Sequence, residues 1–338
     1  MSRDRVVVVG AGVGGLVAAM MLAARGVETV LVEKQTTVGG RIRELTVAGR
    51  SIDAGPTVLT LRHVFDGIMT ACGLDLAGLV RLTRADVLAR HAWSPEERLD
   101  LFADRLRSAD AIGSFAGAAA RRGYLDFCAH SRRIYETMDP IFMRSERPTP
   151  IGMVKAVGLS GLGGLISSAP FTTLWDLLGR YFPDPRLRQL FGRYATYCGS
   201  SPFLAPATLA LIAHVEQDGV WLVEGGMRAF ADALAVAART KGVEIRTGTS
   251  VAEILIKDGR ARGLRLATGE TIETAAVVSA VDVGALADGL LGADARSAVD
   301  GGASTPRSLS AATWGLVARV SGLTLAHHTV LFSRSSPQ

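Results

Sequence analysis

The segment Arg5–Glu33 constrains the fold of this chain more than any other. Arg5–Val9 (RVVVV) is a β-branched run that reads as a buried parallel strand. It leads directly into GAGVGG, Gly10 to Gly15. Leu16–Arg25 is rich in Ala, Leu and Met and helical in propensity, and Gly26 closes it as a C-terminal cap would. Glu28–Glu33 (ETVLVE) then reads as a second strand. Each glycine has a mechanical role. Gly10 permits the tight turn, Gly12 lets backbone approach a diphosphate, and Gly15 lets the helix pack close to the strand. Gly14 completes the loop. The helix N-terminus offers free N–H groups and its positive dipole end to phosphate. Glu33 ends the second strand, where a carboxylate accepts from ribose hydroxyls and repels a 2′-phosphate, and Lys34 follows it. Strand, glycines, helix, strand and terminal acid in this order specify a dinucleotide-binding unit.

The next elements distinguish the kind of dinucleotide. Val38-Gly39-Gly40-Arg41 follows the acid within a few residues, and Ile52-Asp53-Ala54-Gly55-Pro56-Thr57 comes soon after. A glycine pair lets backbone pass close to a diphosphate, and Arg41 supplies a charge-assisted donor. The two phrases resemble the GGR and DAGPT elements of the amine oxidase–carotenoid desaturase flavoproteins, in their bacterial-type, phytoene desaturase-like branch. The resemblance implies an α/β fold, with an FAD-binding Rossmann-type domain into which a largely helical substrate domain is inserted. It implies FAD as cofactor, with Gly55, Pro56 and Thr57 near the flavin ring. Further on, Trp221–Met227 (WLVEGGM) resembles the family's GGM element, and Val251 falls at the position whose backbone meets the adenine.

Residues 61–220 show little of the βαβ pattern. Ser108–Gly123, Tyr124–Met138, Arg186–Cys198 and Phe203–Val215 fit helical spacing, with Pro and Gly breaks between them. Arg228–Thr240 reads as a helix, and Val251–Glu273 as hairpin-linked strands with turns at Asp258-Gly259 and Thr268-Gly269. Ala275–Ala280 reads as a buried strand. The expected organisation is 1–60 and 221–285 as the two parts of the FAD domain, 61–220 as the substrate and membrane-facing domain, and 286–338 as a return to the substrate domain. The phrases LARHAW (Leu88–Trp93), LDLFAD (Leu99–Asp104), GYLDFCAHSRRIYETM (Gly123–Met138) and HHTVLFS (His327–Ser333) resemble the subgroup acting on acyclic hydroxylated carotenoids, the 1-hydroxycarotenoid 3,4-desaturases. Members of that family continue past the last phrase to a second glycine-rich element. The resemblance therefore implies that this chain is shortened at its carboxy end.

Composition excludes several classes. Lys plus Arg exceeds Asp plus Glu by 37 to 32, yet no basic block with interleaved aromatics points to nucleic acid. Cys72, Cys128 and Cys198 are widely separated, and no Cys/His ligand spacing exists, so neither a metal nor a disulfide framework is expected. Reduced thiols suit the cytoplasm. The apolar Val6–Val9 run precedes a glycine motif rather than a cleavage site, so it does not read as a leader. His63, His91, His130 and His214 are isolated and read as structural, and Arg62 reads as a surface or structural arginine. The uncharged stretch Ala156–Leu174 holds too much Gly, Ser and Thr for a spanning helix; it reads as membrane docking, tunnel lining or ordinary core.

The resemblance implies removal of two hydrogens from a C–C bond beside a polyene, where loss of a hydride leaves a cation that conjugation delocalises. No catalytic base is identified. The partners implied are a carotenoid and, peripherally, the surface of the inner or photosynthetic membrane. Two alternatives remain open on the sequence alone: another flavoprotein of the superfamily, such as a phytoene desaturase or an amine oxidase, and a shortened, inactive remnant. The 6% aromatic content counts against an amine oxidase, which usually needs an aromatic cage.

Overall fold

A computed structural model of the chain describes residues 5–140, 172–299 and 308–333. Its strands are β1 (Val6–Val9), β2 (Thr29–Val32), β3 (Glu44–Val47), β4 (Arg50–Asp53), β5 (Leu82–Arg84), β6 (Val87–Ala92), β7 (Arg98–Phe102), β8 (Trp221–Val223), β9 (Glu244–Arg246), β10 (Val251–Lys257), β11 (Arg260–Leu266), β12 (Thr271–Glu273), β13 (Ala276–Ser279) and β14 (Thr329–Leu331). The α-helices are α1 (Val13–Ala23), α2 (Arg62–Ala71), α3 (Arg105–Ala116), α4 (Ala118–Met138), α5 (Leu174–Tyr181), α6 (Pro185–Gly192), α7 (Leu211–Asp218), α8 (Met227–Thr240) and α9 (Val283–Ala287). They fall into two compact units. The first comprises 1–83, 221–307 and 313–317; the second comprises 84–220, 308–312 and 318–338.

The first unit is built on a four-stranded parallel sheet of order β13-β1-β2-β9. Its strands are short and β-branched because both faces are covered. Alternation sorts their side chains by layer. Val8 and Leu31 point into a cluster with Leu16 and Met20 of α1, Met69 of α2, and Phe230 and Leu234 of α8. Val7, Val9, Val30 and Val32 point the other way, against Ile254, Leu264 and Ile272 of the antiparallel sheet β10-β11-β12. Spacing explains how α8 is held: Met227, Phe230, Ala231, Leu234, Ala237 and Ala238 are all buried, three and four residues apart.

The division between units departs from the expected boundaries at three places, one of which is 313–317, assigned to the first unit. Residues 61–83 pack within the first unit because Met69, Cys72, Leu76 and Val80 are buried in the same cluster as α1 and α8. The described part of 286–307 does likewise, through Leu286, Leu291 and Ala295. The docking segment expected at Ala156–Leu174 lies outside the described residues up to position 171. Among the described residues, no helix is long and apolar enough to cross a membrane.

The second unit holds the mixed sheet β14-β6-β7 and a helical core in which Tyr124, Phe127, Phe182, Phe191 and Tyr194 are almost wholly inaccessible. The helix expected over Ser108–Gly123 ends earlier, because Gly117 takes φ +90° and separates α3 from α4. Gly123 remains inside α4 for a steric reason. A Cβ there would stand 2.1 Å from the Tyr181 carbonyl oxygen at the end of α5. The helix expected over Arg186–Cys198 divides into α6 and a 3₁₀ segment, Arg193–Cys198; that expected over Phe203–Val215 begins only at Ala207, as a 3₁₀ turn before α7.

One carboxylate gathers several polar groups of this core. Arg193 Nη2 donates to both oxygens of Glu216 at 2.9 Å, and the hydroxyls of Tyr194 and Tyr197 donate to the same carboxylate at 3.0 and 2.9 Å. His91 on β6 is fully buried, with Nδ1 3.2 Å from the Leu99 carbonyl oxygen. That oxygen only accepts, so Nδ1 carries the proton and Nε2 is left as a bare acceptor without a partner. Burial first, and then the nearby Arg193 charge, hold the His91 pKa well below the ordinary histidine value, against the opposing Leu99 bond.

Gly→Ala inside a helix ordinarily stabilises by about 0.5–1 kcal/mol. Gly123→Ala is expected to do the reverse, destabilising by ~2 kcal/mol as α4 and α5 are forced apart, measured by chemical denaturation. His91 sets a pH dependence whose sign follows from its lowered folded-state pKa. The unfolded chain takes up a proton below about 6.5 that the folded chain refuses, so stability is complete above that pH and declines below it, by at most ~1.4 kcal/mol per pH unit for one group. His91→Gln is expected to reduce the loss between pH 7 and pH 5; an identical loss in the variant would show that His91 is not its source.

Candidate functional site

A cleft of ≈ 1450 Å³ opens at the carboxyl ends of the parallel strands, wholly within the first unit. Val9 and Gly10 leave β1, Val32 and Glu33 leave β2, and Ala280 and Val281 leave β13, all in its wall. Open α/β sheets bind ligands at this edge, where neighbouring strands connect in opposite directions. Here β1 is followed in the sheet by β2 on one side and by β13 on the other.

The floor is made of backbone. Gly12 is the N-cap of α1 and no side chain caps that helix, so its first-turn N–H groups have no partner within the helix. Gly39 N–H donates to the Ala11 carbonyl at 2.8 Å, which lays the GGR loop across the glycine turn. Gly40 sits so close above Gly12 that a Cβ on it would lie 2.9 Å from the Gly12 Cα, and its φ of +61° disfavours a side chain as well. Gly15 fixes the other side: a Cβ there would stand 1.9 Å from the Gly10 carbonyl oxygen. At Gly55 a Cβ would stand 2.1 Å from the Arg41 carbonyl oxygen, so the DAGPT turn packs directly against GGR.

Carboxylates orient this backbone. Glu33 is buried, and its two oxygens accept from Ala11 N–H at 2.7 Å and Gln35 N–H at 2.9 Å. A carboxylate has about four acceptor positions, so acceptor capacity remains for a hydroxyl. Asp53 accepts from Met227 N–H with both oxygens, at 3.1 and 3.0 Å, and caps α8 across the chain. The Arg41 side chain is 94% exposed, and its guanidinium is 3.8 Å from Asp282, a separation at which an exposed pair holds little.

Nine of the residues singled out in the sequence line the cleft: Gly10, Gly12, Glu33, Lys34, Gly39, Gly40, Arg41, Pro56 and Val251. Gly14, Gly15, Gly55 and Thr57 are not in its wall. Gly14 is exposed with nothing within 4 Å of a Cβ, whereas Gly15 and Gly55 act through the close approaches just described. Arg62 is paired with Asp66 at 3.2 Å and lies 4.5 Å over the Trp221 ring. Sequence reading missed Asp53 as a cap, together with Thr249, Ser250 and Val281 in the wall. The signal for Val281 was present, since it leaves the strand expected at Ala275–Ala280. Among the described residues, no group of three or more His, Cys, Asp or Glu side chains is placed to hold a metal ion.

The chain is 52% identical to a hydroxyneurosporene desaturase of Rubrivivax gelatinosus over 98% of its own length, and 44% identical to one of Cereibacter sphaeroides over 97%. It spans 63% and 66% of the lengths of those two relatives. Among solved structures, an oxidoreductase from Methanosarcina mazei superposes with a TM-score of 0.58 at 19% identity, covering 86% of this chain and 61% of that one, a likeness of fold. The profile of the flavin containing amine oxidoreductases matches residues 13–307. With its parallel sheet and the glycine cradle at the sheet's carboxyl edge, the chain belongs to the family of flavin-containing amine oxidoreductases.

Proposed function

We propose that this chain binds FAD in the cleft of its first unit and serves the desaturation of an acyclic hydroxylated carotenoid. The observation that carries the reading is the uncapped N-terminus of α1 beneath the Gly12–Gly40 approach, in a chain 52% identical to a hydroxyneurosporene desaturase. The residues fit the group. A diphosphate needs unpaired N–H donors and backbone without Cβ atoms; Gly12, Gly14 and Gly15 supply them around the first turn of α1, and Gly10, whose N–H is held by the Val32 carbonyl, makes the turn that presents them. Glu33, already oriented by two backbone donors, has acceptor capacity for the ribose hydroxyls. In this reading Lys34, Gly39, Gly40 and Arg41 serve the diphosphate and Val251 the adenine, and Pro56 serves the flavin from the turn that Gly55 and Thr57 shape behind the cleft wall. The cleft exceeds the ~300–1,000 Å³ of ordinary small-molecule sites, as a dinucleotide requires.

When bound, FAD supplies a two-electron acceptor for hydrogen removed beside the polyene. The chain's own contribution in this reading is positional. Backbone amides and Arg41 hold the anionic end, and the DAGPT turn holds the other end. The first unit carries the cofactor, and residues 84–220 carry the recognition of the carotenoid. A substrate dissolved in membrane calls for docking at the membrane surface. The test is the absorption spectrum of the purified chain after loading with FAD and removing the excess, followed by assay of an acyclic hydroxycarotenoid in liposomes. Two visible flavin bands and a red-shifted carotenoid product support the reading; a folded chain that retains no flavin overturns it.

A variant separates binding from folding. A Cβ on Gly12 meets nothing nearer than Gly40 Cα at 3.9 Å, and Gly12 has an ordinary φ of −69°. Gly12→Ala is therefore expected to fold, at a cost of about 1 kcal/mol for the poorer N-cap. It is expected to bind FAD at least ~10-fold more weakly, because the methyl group stands where the phosphate must approach. Equilibrium titration of flavin fluorescence, with a denaturation curve alongside, reads both effects.

A further inference from the structure

Leu204 is the most exposed large apolar side chain among the described residues, at 82%, and it stands at the tip of a turn inside the second unit. Phe203 beside it is 39% exposed, with its ring 4.8 Å from that of Trp175 in α5. The turn is tightly held. The Ser201 carbonyl accepts from Leu204 N–H at 3.0 Å and Ala205 N–H at 2.8 Å, and Ser followed by Pro202 is the turn chemistry such a bond calls for. Leu174 N–H donates to the Ala205 carbonyl at 2.8 Å and Trp175 N–H to the Pro202 carbonyl at 3.0 Å, which joins the turn to the start of α5. A Cβ on Gly192, at the end of α6, would lie 3.5 Å from Pro202. Two adjacent apolar side chains are thus held outward on a fixed base.

Three observations indicate what covers them. Charge is absent: neither Gly199–Ala213 nor Ala156–Trp175, whose end is bonded to the turn, contains a charged residue. Asp176, next along the chain, accepts from the Thr173 hydroxyl at 2.7 Å. Hydrocarbon penalises charge heavily, and this surface carries none at its tip. Donors are satisfied: Phe203 N–H reaches Ser201 Oγ at 3.4 Å, Leu204 and Ala205 N–H reach the Ser201 carbonyl, and Pro202 has no N–H. The tip therefore tolerates an apolar medium and offers no N–H to an added strand. Behind it, the Arg188 guanidinium lies 4.3 Å over the Trp175 ring. Indole and guanidinium are amphipathic groups suited to the boundary between acyl chains and water.

We propose that the Pro202–Leu204 turn inserts Phe203 and Leu204 into the acyl-chain boundary of a phospholipid bilayer, with Trp175 and Arg188 at the headgroup level. The choice of lipid over another apolar partner rests on the proposed carotenoid substrate, which dissolves in membrane. The contact is apolar and needs no anionic lipid.

The test is flotation of the purified 338-residue chain with phosphatidylcholine vesicles, read from the protein itself. The chain is expected to float with the vesicles in concentrated salt. Phe203→Ser with Leu204→Ser is expected to weaken partitioning at least ~10-fold. Leu204→Ser alone, which removes a side chain projecting into solvent and leaves the fold intact, is expected to weaken it at least ~3-fold. A bimane label on Leu204→Cys, in a chain also carrying Cys198→Ser, reads the depth, since Cys72 and Cys128 are buried and do not compete. On vesicles it is expected to be quenched by acyl-chain nitroxides and shielded from iodide. Four outcomes overturn the proposal: no flotation, release by salt, unchanged partitioning of both variants, and a label quenched only from water. None of these readouts uses flavin or turnover. A chain that retains flavin and desaturates the carotenoid yet ignores these substitutions overturns the docking turn alone; one that floats through the turn but retains no flavin overturns only the proposed cofactor site.

Discussion

The hydrogen bond from Ala11 N–H to the buried Glu33 carboxylate is the interaction on which the first unit's architecture turns. It ties the glycine turn after β1 to the end of β2. The Ala11 carbonyl on the same residue receives Gly39 N–H, which hangs the GGR loop from that turn. The DAGPT turn then packs under GGR at Gly55, and its Asp53 caps α8. Five segments spread over more than two hundred residues are thereby linked, by close backbone approaches and by the Glu33 and Asp53 carboxylates. A buried carboxylate that lost these donors would retain its desolvation cost without compensation, which makes the arrangement stringent.

Backbone forms most of the cleft floor for an electrostatic reason. A diphosphate is best held by fixed N–H dipoles that need no reorganisation, and by a helix terminus whose charge cannot be neutralised by a rotating side chain. Glycine is needed where two loops cross, as Gly40 crosses Gly12. The side chains that remain, Glu33, Lys34 and Arg41, stand around this floor rather than within it.

The sequence disclosed what is local and periodic. The βαβ unit, the hairpins turning at Asp258-Gly259 and Thr268-Gly269, and α8 follow from β-branched runs, turn residues and three-four spacing. What it concealed depends on contacts between distant segments. Asp53 caps a helix that begins 174 positions later, and nothing near Asp53 announces it. Gly123 looks like a helix breaker, yet it is retained in α4 by the approach of Tyr181, while Gly117, with no such neighbour, makes the break. Residues 61–83 resemble the helical segments after them, but their buried side chains settle against α1 and α8.

The central strand carries a further consequence. β1 is paired on one side with β2, which follows it closely, and on the other with β13, where Val6 meets Ala276. When a ribosome has made the βαβ unit, only one edge of β1 has its partner. At ~5–20 residues per second, the strand that closes the other edge arrives tens of seconds later. During that interval Val7 and Val9 have neither their neighbours from β13 nor the cover of β10–β12. The first motif made is thus among the last to be completed, and the nascent chain presents an open, apolar parallel edge for much of its synthesis.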